Sequence, residues 1–486
     1  MPMKVWLYPL TKLDSQAAKI VRQISIGLVR RSQRILDEMD DYIVQCQDLM
    51  KDAIAIQFPE IKQKLLRFKD LCVEYKLVFQ KSLARLLPAI RGGGEEEGRL
   101  IDLLSSRERS PFRNALLVQF LEDKERELNV LRYYLQKMSD VTVAPSSSDL
   151  DQVVLNSANE YVVCFAFTSL KHREQYLTIL ESYLTSFERG TGEEVAPDLD
   201  PEGRPGKWFR SVEVTALTRE NIRLFLDFER ENKGRRNVKF CVASIDDEVN
   251  IGSSVYLFER GALASKHFEL PSQPGVPAVL TTLHDSVQLE FHPPKYGARE
   301  IVRYRVLYQK PGDSAWMEVD TDDNKLEFTV SGLDLNASYL FGCQAVCKPG
   351  VSCTSNASPV CKTFPSAPPG APQQKSTGPN SMIITWDMPT SVGQGVSVTS
   401  YEVEYREVFK GATDDQDSKT WTKLKARGRV CTLENLTAGT SYIVRVYSNC
   451  GKEGKSPPSP ETQITIPKDS TVKARSEEVS HVKVQS

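Results

Sequence analysis

Apolar residues recur at three- and four-residue steps near the start of the chain: Ala17, Ile20, Val21, Ile24, Leu28, Ile35, Met39, Ile43, Cys46, Leu49, Ala53 and Ile56. That spacing puts them on one face of a long helix, with Asp14 and Ser15 as N-cap residues. Pro59 breaks or restarts it, because proline lacks the amide hydrogen and clashes with the preceding turn. A second stripe (Ile61, Leu65, Phe68, Cys72, Tyr75, Phe79, Leu83, Leu86) is expected to end at Pro88, before a charged loop over residues 91–98. A short helix is expected over residues 100–104. Ser110-Pro111 then supplies a cap and a first-turn proline for a third stripe through Leu117, Leu121, Leu128, Leu131, Leu135 and Met138. Helices joined this way bury their stripes together, which predicts an all-α bundle over residues 1–140. Arg22, Arg30, Arg31 and Arg34 would suit a helix lying on a membrane. The stripe runs unbroken into the acidic residues 37–41, which favours a bundle helix with a solvated basic edge.

Beyond residue 140 the pattern alternates. Tyr161-Val-Val-Cys-Phe-Ala-Phe167 is a continuous apolar run, as in a buried parallel strand. An amphipathic helix follows over residues 172–187, then a Gly/Pro/acid-rich loop over 190–206. A strand is expected over 210–214, a helix over 221–232 and a strand over 238–245. A hairpin is expected over 254–258 and 266–270, turning at Arg260-Gly261. This order resembles the thioredoxin fold, predicted here over residues 141–272. The segments that carry the resemblance are Asn237-Val-Lys-Phe-Cys-Val-Ala-Ser-Ile-Asp246 and Ile251-Gly-Ser-Ser-Val-Tyr-Leu-Phe-Glu-Arg-Gly261. A dithiol enzyme needs C-x-x-C at the start of the helix after the first central strand, where the helix terminus lowers the thiol pKa. That stretch is Thr168-Ser-Leu-Lys-His172, and Ser253 stands where the fold's proline is expected. Cys164 and Cys241 fall inside apolar strands, the setting of inert core thiols. His172 and Arg173 near the helix start have no base–nucleophile partner assignable from spacing.

Residues 275–366 and 367–467 form a diverged repeat between proline-rich boundaries. Val287-Gln-Leu-Glu-Phe291 matches Met382-Ile-Ile-Thr-Trp386, and Tyr304-Arg-Val-Leu-Tyr308 matches Tyr401-Glu-Val-Glu-Tyr405. Trp316 matches Trp421. Gly332-Leu-Asp-Leu-Asn-Ala-Ser-Tyr339 matches Asn435-Leu-Thr-Ala-Gly-Thr-Ser-Tyr442. The strands alternate at period two, so one face packs and the other is wet. The pattern resembles fibronectin type III sandwiches, with Tyr339 and Tyr442 as the tyrosine corners. Residues 468–486 read as a disordered tail.

Composition changes this picture little. Lys+Arg is 62 against Asp+Glu 64 in 486 residues, so the basic excess of a general nucleic-acid binder is missing. The longest apolar run, residues 161–167, is far shorter than the ~20 residues of a transmembrane helix. Residues 1–13 lack the apolar core of a secretory signal. The expectation is therefore cytoplasmic, with leaderless secretion as the alternative. Cys343, Cys347, Cys353 and Cys361 have the spacing C-x3-C-x5-C-x7-C. They read as packing thiols, a disulfide or a zinc set, although paired C-x2-C knuckles are missing. Asn336, Asn356 and Asn435 head N-x-[ST] tripeptides, which matter only in the secretory pathway.

Lys4-Val-Trp-Leu-Tyr-Pro-Leu10 and Ala17-Ala-Lys-Ile-Val-Arg-Gln-Ile-Ser-Ile-Gly-Leu-Val-Arg30, followed by the redox-dead domain, resemble the stonustoxin/verrucotoxin family of fish cytolysin-like proteins. The resemblance covers residues 4–272. It implies a focal-adhesion-targeting-like helical domain and a redox-dead thioredoxin-like domain, with fibronectin type III units as an accepted extension. The family's perforin-like domain would precede Val5 and its SPRY module would follow Pro467. Neither lies in the 486 residues, so pore formation is carried onto no residue here. The whole reads as a multidomain chain with no catalytic, cofactor-binding or metal-binding residue assigned and no cofactor. The expected role is a non-catalytic scaffold for protein partners, including a full-length family member, with the groove between bundle helices as a surface for an amphipathic helix. The alternative is an accessory subunit or remnant of a cytolytic assembly.

Overall fold

The structure, a computed structural model, describes residues 23–188, 207–408 and 420–467. By contact the chain divides into two compact units, Met1–Leu270 and Pro271–Ser486.

The first unit opens with α1 (Ile26–Met50), α2 (Ala53–Gln57), α3 (Pro59–Arg91), α4 (Glu97–Arg109) and α5 (Asn114–Lys137). The expected caps Asp14 and Ser15 lie outside the described residues. The first stripe is divided between two helices, because Asp52 accepts the amide of Ile54 at 2.8 Å and so starts α2 afresh. Pro59 restarts the helix as expected, at the first position of α3. Pro88 does not end it. The helix runs on to Arg91, because a proline this close to the terminus removes one ladder bond while the extension buries Ile90. The short helix over 100–104 is the centre of the longer α4. Ser110-Pro111 is not a helix start. Ser110 Oγ donates to the carbonyl of Arg107 and accepts the amide of Phe112, making the turn that seats the fully buried Phe112 ring on Tyr75 at 4.2 Å.

The sheet that follows has the order β1-β3-β2-β4-β5, built from β1 (Thr142–Ala144), β2 (Tyr161–Phe167), β3 (Val238–Ser244), β4 (Ser253–Glu259) and β5 (Ala262–Ser265). The first three are parallel; β4 runs against β2 and β5 against β4. Helix α6 (Ser147–Val154) lies against β1, β2 and β3. Helix α7 (Gln175–Glu188) packs on α3, and α8 (Val212–Asn232) packs on β4. This is the thioredoxin-like arrangement. The strand expected over 210–214 is instead the start of α8: Ser211 accepts the amide of Val214, and Thr218, Ile222 and Phe225 are buried at helical steps. A five-residue alternation could not outweigh that longer period. The hairpin turns at Arg260-Gly261 as expected, with φ of 50° and 84°. Such a two-residue turn starts the return strand at once, so β5 begins at Ala262 and not at residue 266. Short β1 was not anticipated.

In the second unit, β6 (Ala278–Thr282), β7 (Ser286–Glu290) and β10 (Glu327–Ser331) form one antiparallel sheet. It faces a second sheet of β8 (Arg303–Gln309), β9 (Met317–Asp320), β11 (Ser338–Cys347), β12 (Gly350–Val351) and β13 (Cys361–Lys362). Phe291, Tyr304, Val306, Phe341 and Cys343 fill the core. The next sandwich repeats this with β14 (Gln373–Thr377), β15 (Met382–Thr385) and β18 (Val430–Leu433) against β16 (Ser400–Val408), β17 (Thr422–Ala426), β19 (Ser441–Asn449) and β20 (Thr462–Thr465), around Trp386, Val403, Val444 and Val446. Both tyrosine corners close: Tyr339 accepts the amide of Asp334, and Tyr442 that of Thr437, each at 2.9 Å.

One feature of the sandwiches is not an alternation of period two. Ser352, Ser355 and Ser358 recur every three residues, and each is buried. Their amides donate to the carbonyls of Ala345, Cys343 and Phe341, and their hydroxyls accept the amides of the same three residues at 2.9–3.0 Å. Ser456 and Ser459 do the same for Ser448 and Val446. Hydroxyls here complete a ladder that backbone pairing alone would leave open.

Candidate functional site at the junction of helices and sheet

In a thioredoxin the reactive dithiol sits where β2 gives way to the next helix. Here Thr168, Ser169 and Leu170 are buried at that point. Thr168 Oγ1 donates to the carbonyl of Asn250, and the amide of Gly252 donates to Ser169 Oγ at 2.9 Å. Ser253 donates its hydroxyl to Thr218 Oγ1 at 3.2 Å and accepts from Asn221. A network of hydroxyls thus occupies the site of the sulfur chemistry. His172 Nε2 lies 3.1 Å from the carbonyl of Asp247 and 3.7 Å from the Asp246 carboxylate. That geometry orients a ring and activates no nucleophile.

The bundle covers this end of the sheet. Lys171 pairs with Glu60 in the first turn of α3 at 3.5 Å. Phe58 meets Phe167 edge-on at 5.6 Å, and Phe68 stacks on Phe120 at 4.3 Å beside Tyr176. The Tyr176 hydroxyl donates to the carbonyl of Pro111 at 2.8 Å. Burying such rings across a boundary stabilises it by roughly 1.5–3 kcal/mol per side chain.

Charge is buried along with the rings. Lys124 on α5 is 2% exposed and lies 2.9 Å from both Glu127 and Glu174. Glu127 also accepts the indole N–H of Trp208 at 2.8 Å, and Glu174 pairs with Lys207. Arg210 pairs with Asp123. Burial pulls the Lys124 pKa down, but its two carboxylates outweigh that and hold it above the usual lysine value. Burial likewise raises Glu174, yet Lys124 and Lys207 bring its carboxyl down to about 2. Lys64 on α3 forms no ion pair with a described carboxylate; burial and repulsion from Lys124 outweigh the more distant attraction of Glu127 and Glu174 and bring it down to about 8. These groups line a cavity of about 190 Å³, together with Ser169, His172 and Arg173.

Of the residues singled out in the sequence, the structure brings His172 and Arg173 to this cavity and keeps the cysteines away from it. Cys164 and Cys241 are register neighbours on β2 and β3, both fully buried. The hydrogen bond between the two thiols, with burial, pushes Cys164 well above the ordinary thiol value. Cys343 and Cys347 are buried within β11, whereas Cys353 and Cys361 lie on the returning segment. Among the described residues no three His, Cys, Asp or Glu side chains converge as a metal ion requires. None of the described helices is long and apolar enough to cross a membrane. Asn336 and Asn435 adopt φ of 56° and 59°, so each sits where a turn needs the left-handed region. Asn356 is exposed.

The buried charge cluster was not legible as a site. The stripe from Leu117 to Met138 marks one face of α5, and a second face, through Phe120, Lys124, Glu127 and Tyr134, is buried as well. Charged residues at helical spacing read as a solvated face. The available signals were Phe120 and Tyr134 on that face, and Trp208 just after the acid-rich loop.

Three stretches of the chain are similar to known domains. Residues 34–129 match the stonustoxin helical domain, residues 140–270 the thioredoxin-like SNTX domain, and residues 367–465 the fibronectin type III domain. The chain is similar to neoverrucotoxin subunit alpha of Synanceia verrucosa, 31% identical over 277 residues, which is 57% of this chain and 39% of the relative. It is 30% identical to stonustoxin subunit alpha of Synanceia horrida over the same shares. The chain thus spans about two fifths of the length of these relatives. A solved stonustoxin structure aligns with 70% of this chain and 65% of its own, at 19% identity and a TM-score of 0.43.

Proposed function

The chain is stonustoxin-like in its helical and thioredoxin-like domains and carries fibronectin type III sandwiches behind them, and from that premise we propose that it is a non-catalytic multidomain scaffold that binds other proteins. The observation that carries this reading is the occupied dithiol position. Thr168, Ser169 and Ser253 satisfy one another and their neighbours by hydrogen bonds, and the bundle roofs them. A thioredoxin-like domain closed in this way serves as a packing platform. The sandwiches and the outer helical faces then supply surfaces for partners. The division of the chain at residues 140/141, 272/275 and 366/367 is part of the same proposal, as is a cytoplasmic location with leaderless export as the alternative. Ten cysteines in 486 residues are too sparse for a disulfide scaffold, which supports a reducing compartment, and cell fractionation tests it. For the scaffold itself, the full chain is used as bait against a heat-denatured control. Partners enriched by the folded chain are expected, and none would count against the reading. Thiol-dependent insulin reduction above background would overturn the non-catalytic half.

The second reading is favoured by the names of the relatives, which are alpha and beta subunits of toxins. Under it, this chain is an accessory subunit of a cytolytic assembly and pairs with a full-length relative. Dye release from liposomes, with this chain alone and then with such a relative, separates the two. A change in release with both together supports the subunit reading, and no change in either case sinks it.

A further inference from the structure

We propose that the cavity between the bundle and the thioredoxin-like sheet is a binding site for a small dianionic oxyanion of the phosphate class, held by Lys64 and Arg173. This does not rest on the scaffold reading. Two carboxylates line the cavity, and both are already committed. Glu127 is taken by Lys124 and the Trp208 indole, and Glu174 by Lys124 and Lys207. The basic groups left over are Lys64 and Arg173. Neither Lys64 nor Arg173 forms an ion pair with a carboxylate among the described residues, although both line the same space. Among the described lining residues, two acids face four lysine and arginine side chains, and of the two left over Lys64 is the one partly withdrawn from water, where a charge without a partner is costly. A dianion would neutralise both. Lysine and arginine make their strongest hydrogen bonds to phosphate-type oxygens.

Size and access agree. The cavity of about 190 Å³ is several times the ~30 Å³ share of one water molecule. It therefore holds a tetrahedral oxyanion with part of its hydration. Arg173 is exposed, so an ion reaches the site from solvent. Ser169 lines the wall; its Oγ accepts the Gly252 amide, and its own O–H is a donor beside the cations.

The test is calorimetric titration of the full chain with inorganic phosphate, against chloride at matched ionic strength. A parallel arm uses phosphatidylcholine vesicles with and without phosphatidic acid. Lys64→Met is expected to weaken binding about tenfold or more, the usual worth of a charged hydrogen bond. It should leave the phosphate-free melting temperature unchanged or higher, because it removes an unpaired cation. Arg173→Ala at the exposed edge is the second variant and should weaken binding in the same direction. A response to inorganic phosphate assigns a free anion, and a response confined to phosphatidic acid vesicles assigns a lipid headgroup; either supports the site when both variants reduce it. No response beyond the chloride control in either arm, or full affinity in both variants, overturns it.

Discussion

Single residues carry two kinds of information in this chain. At Gly332 and Asn435, and again at Asn336 and Gly439, the two sandwiches exchange glycine for asparagine at matched positions, and all four have positive φ between 56° and 78°. Asparagine tolerates the left-handed region better than other residues with a side chain. The turn alone therefore accounts for Asn336 and Asn435 without any glycan. Asn435→Gly should change stability by only a few tenths of a kcal/mol, whereas Asn435→Ala should cost about 1 kcal/mol, measured by urea denaturation. Glu174 carries the second kind. Its folded pKa of about 2 lies below the ~4.3 of an unfolded glutamate. The stability it contributes is therefore complete above that unfolded value and is lost as the pH falls toward 2. Between pH 5 and pH 2 the loss from this group amounts to up to about 3 kcal/mol. Glu174→Gln should flatten that part of the pH–stability profile, as followed by tryptophan fluorescence in urea.

Elements were legible wherever one period dominated. Continuous apolar residues in β2 and period-two strands in the sandwiches read directly, as did the stripes of α1, α3 and α5. The misread segments were those in which a local signal was spent otherwise. Ser110 caps a turn, Pro88 sits where its missing bond matters little, and Ser211 starts a helix through what looked like alternation. The serine ladder is a period of three, which neither the helix nor the strand template searches for. Ser355 shows its worth: its hydroxyl accepts the Cys343 amide at 2.9 Å, inside the core. Ser355→Ala should destabilise the first sandwich by about 1–3 kcal/mol, the cost of a buried amide left unmet. A shift of its urea midpoint with an unchanged slope is the expected reading.

At the scale of the whole molecule, the helices and the thioredoxin-like sheet share one unit, Met1–Leu270, apart from the sandwiches in Pro271–Ser486. Glu127→Ala leaves Lys124 buried with one partner fewer, and should lower the stability of the first unit by about 3 kcal/mol. The transition of the sandwiches should not move, and calorimetry distinguishes the two. A chain cut after residue 140 would expose Phe58, Phe112, Phe120 and the Lys124–Glu127 pair together. It should aggregate by light scattering, whereas one cut after residue 270 should melt cooperatively. Local pattern was enough for most element types, the two sandwiches and the missing dithiol, because hydrophobic period and residue chemistry are local properties of the chain. Tertiary structure alone decided that the dithiol end of the sheet is packed under the bundle, and that Lys124, Glu127 and Glu174 meet there with Lys64 left over. Residues brought together from α3, α5 and the approach to α7 share no spacing in sequence, and a buried charge reads like a solvated one until its partners are in place.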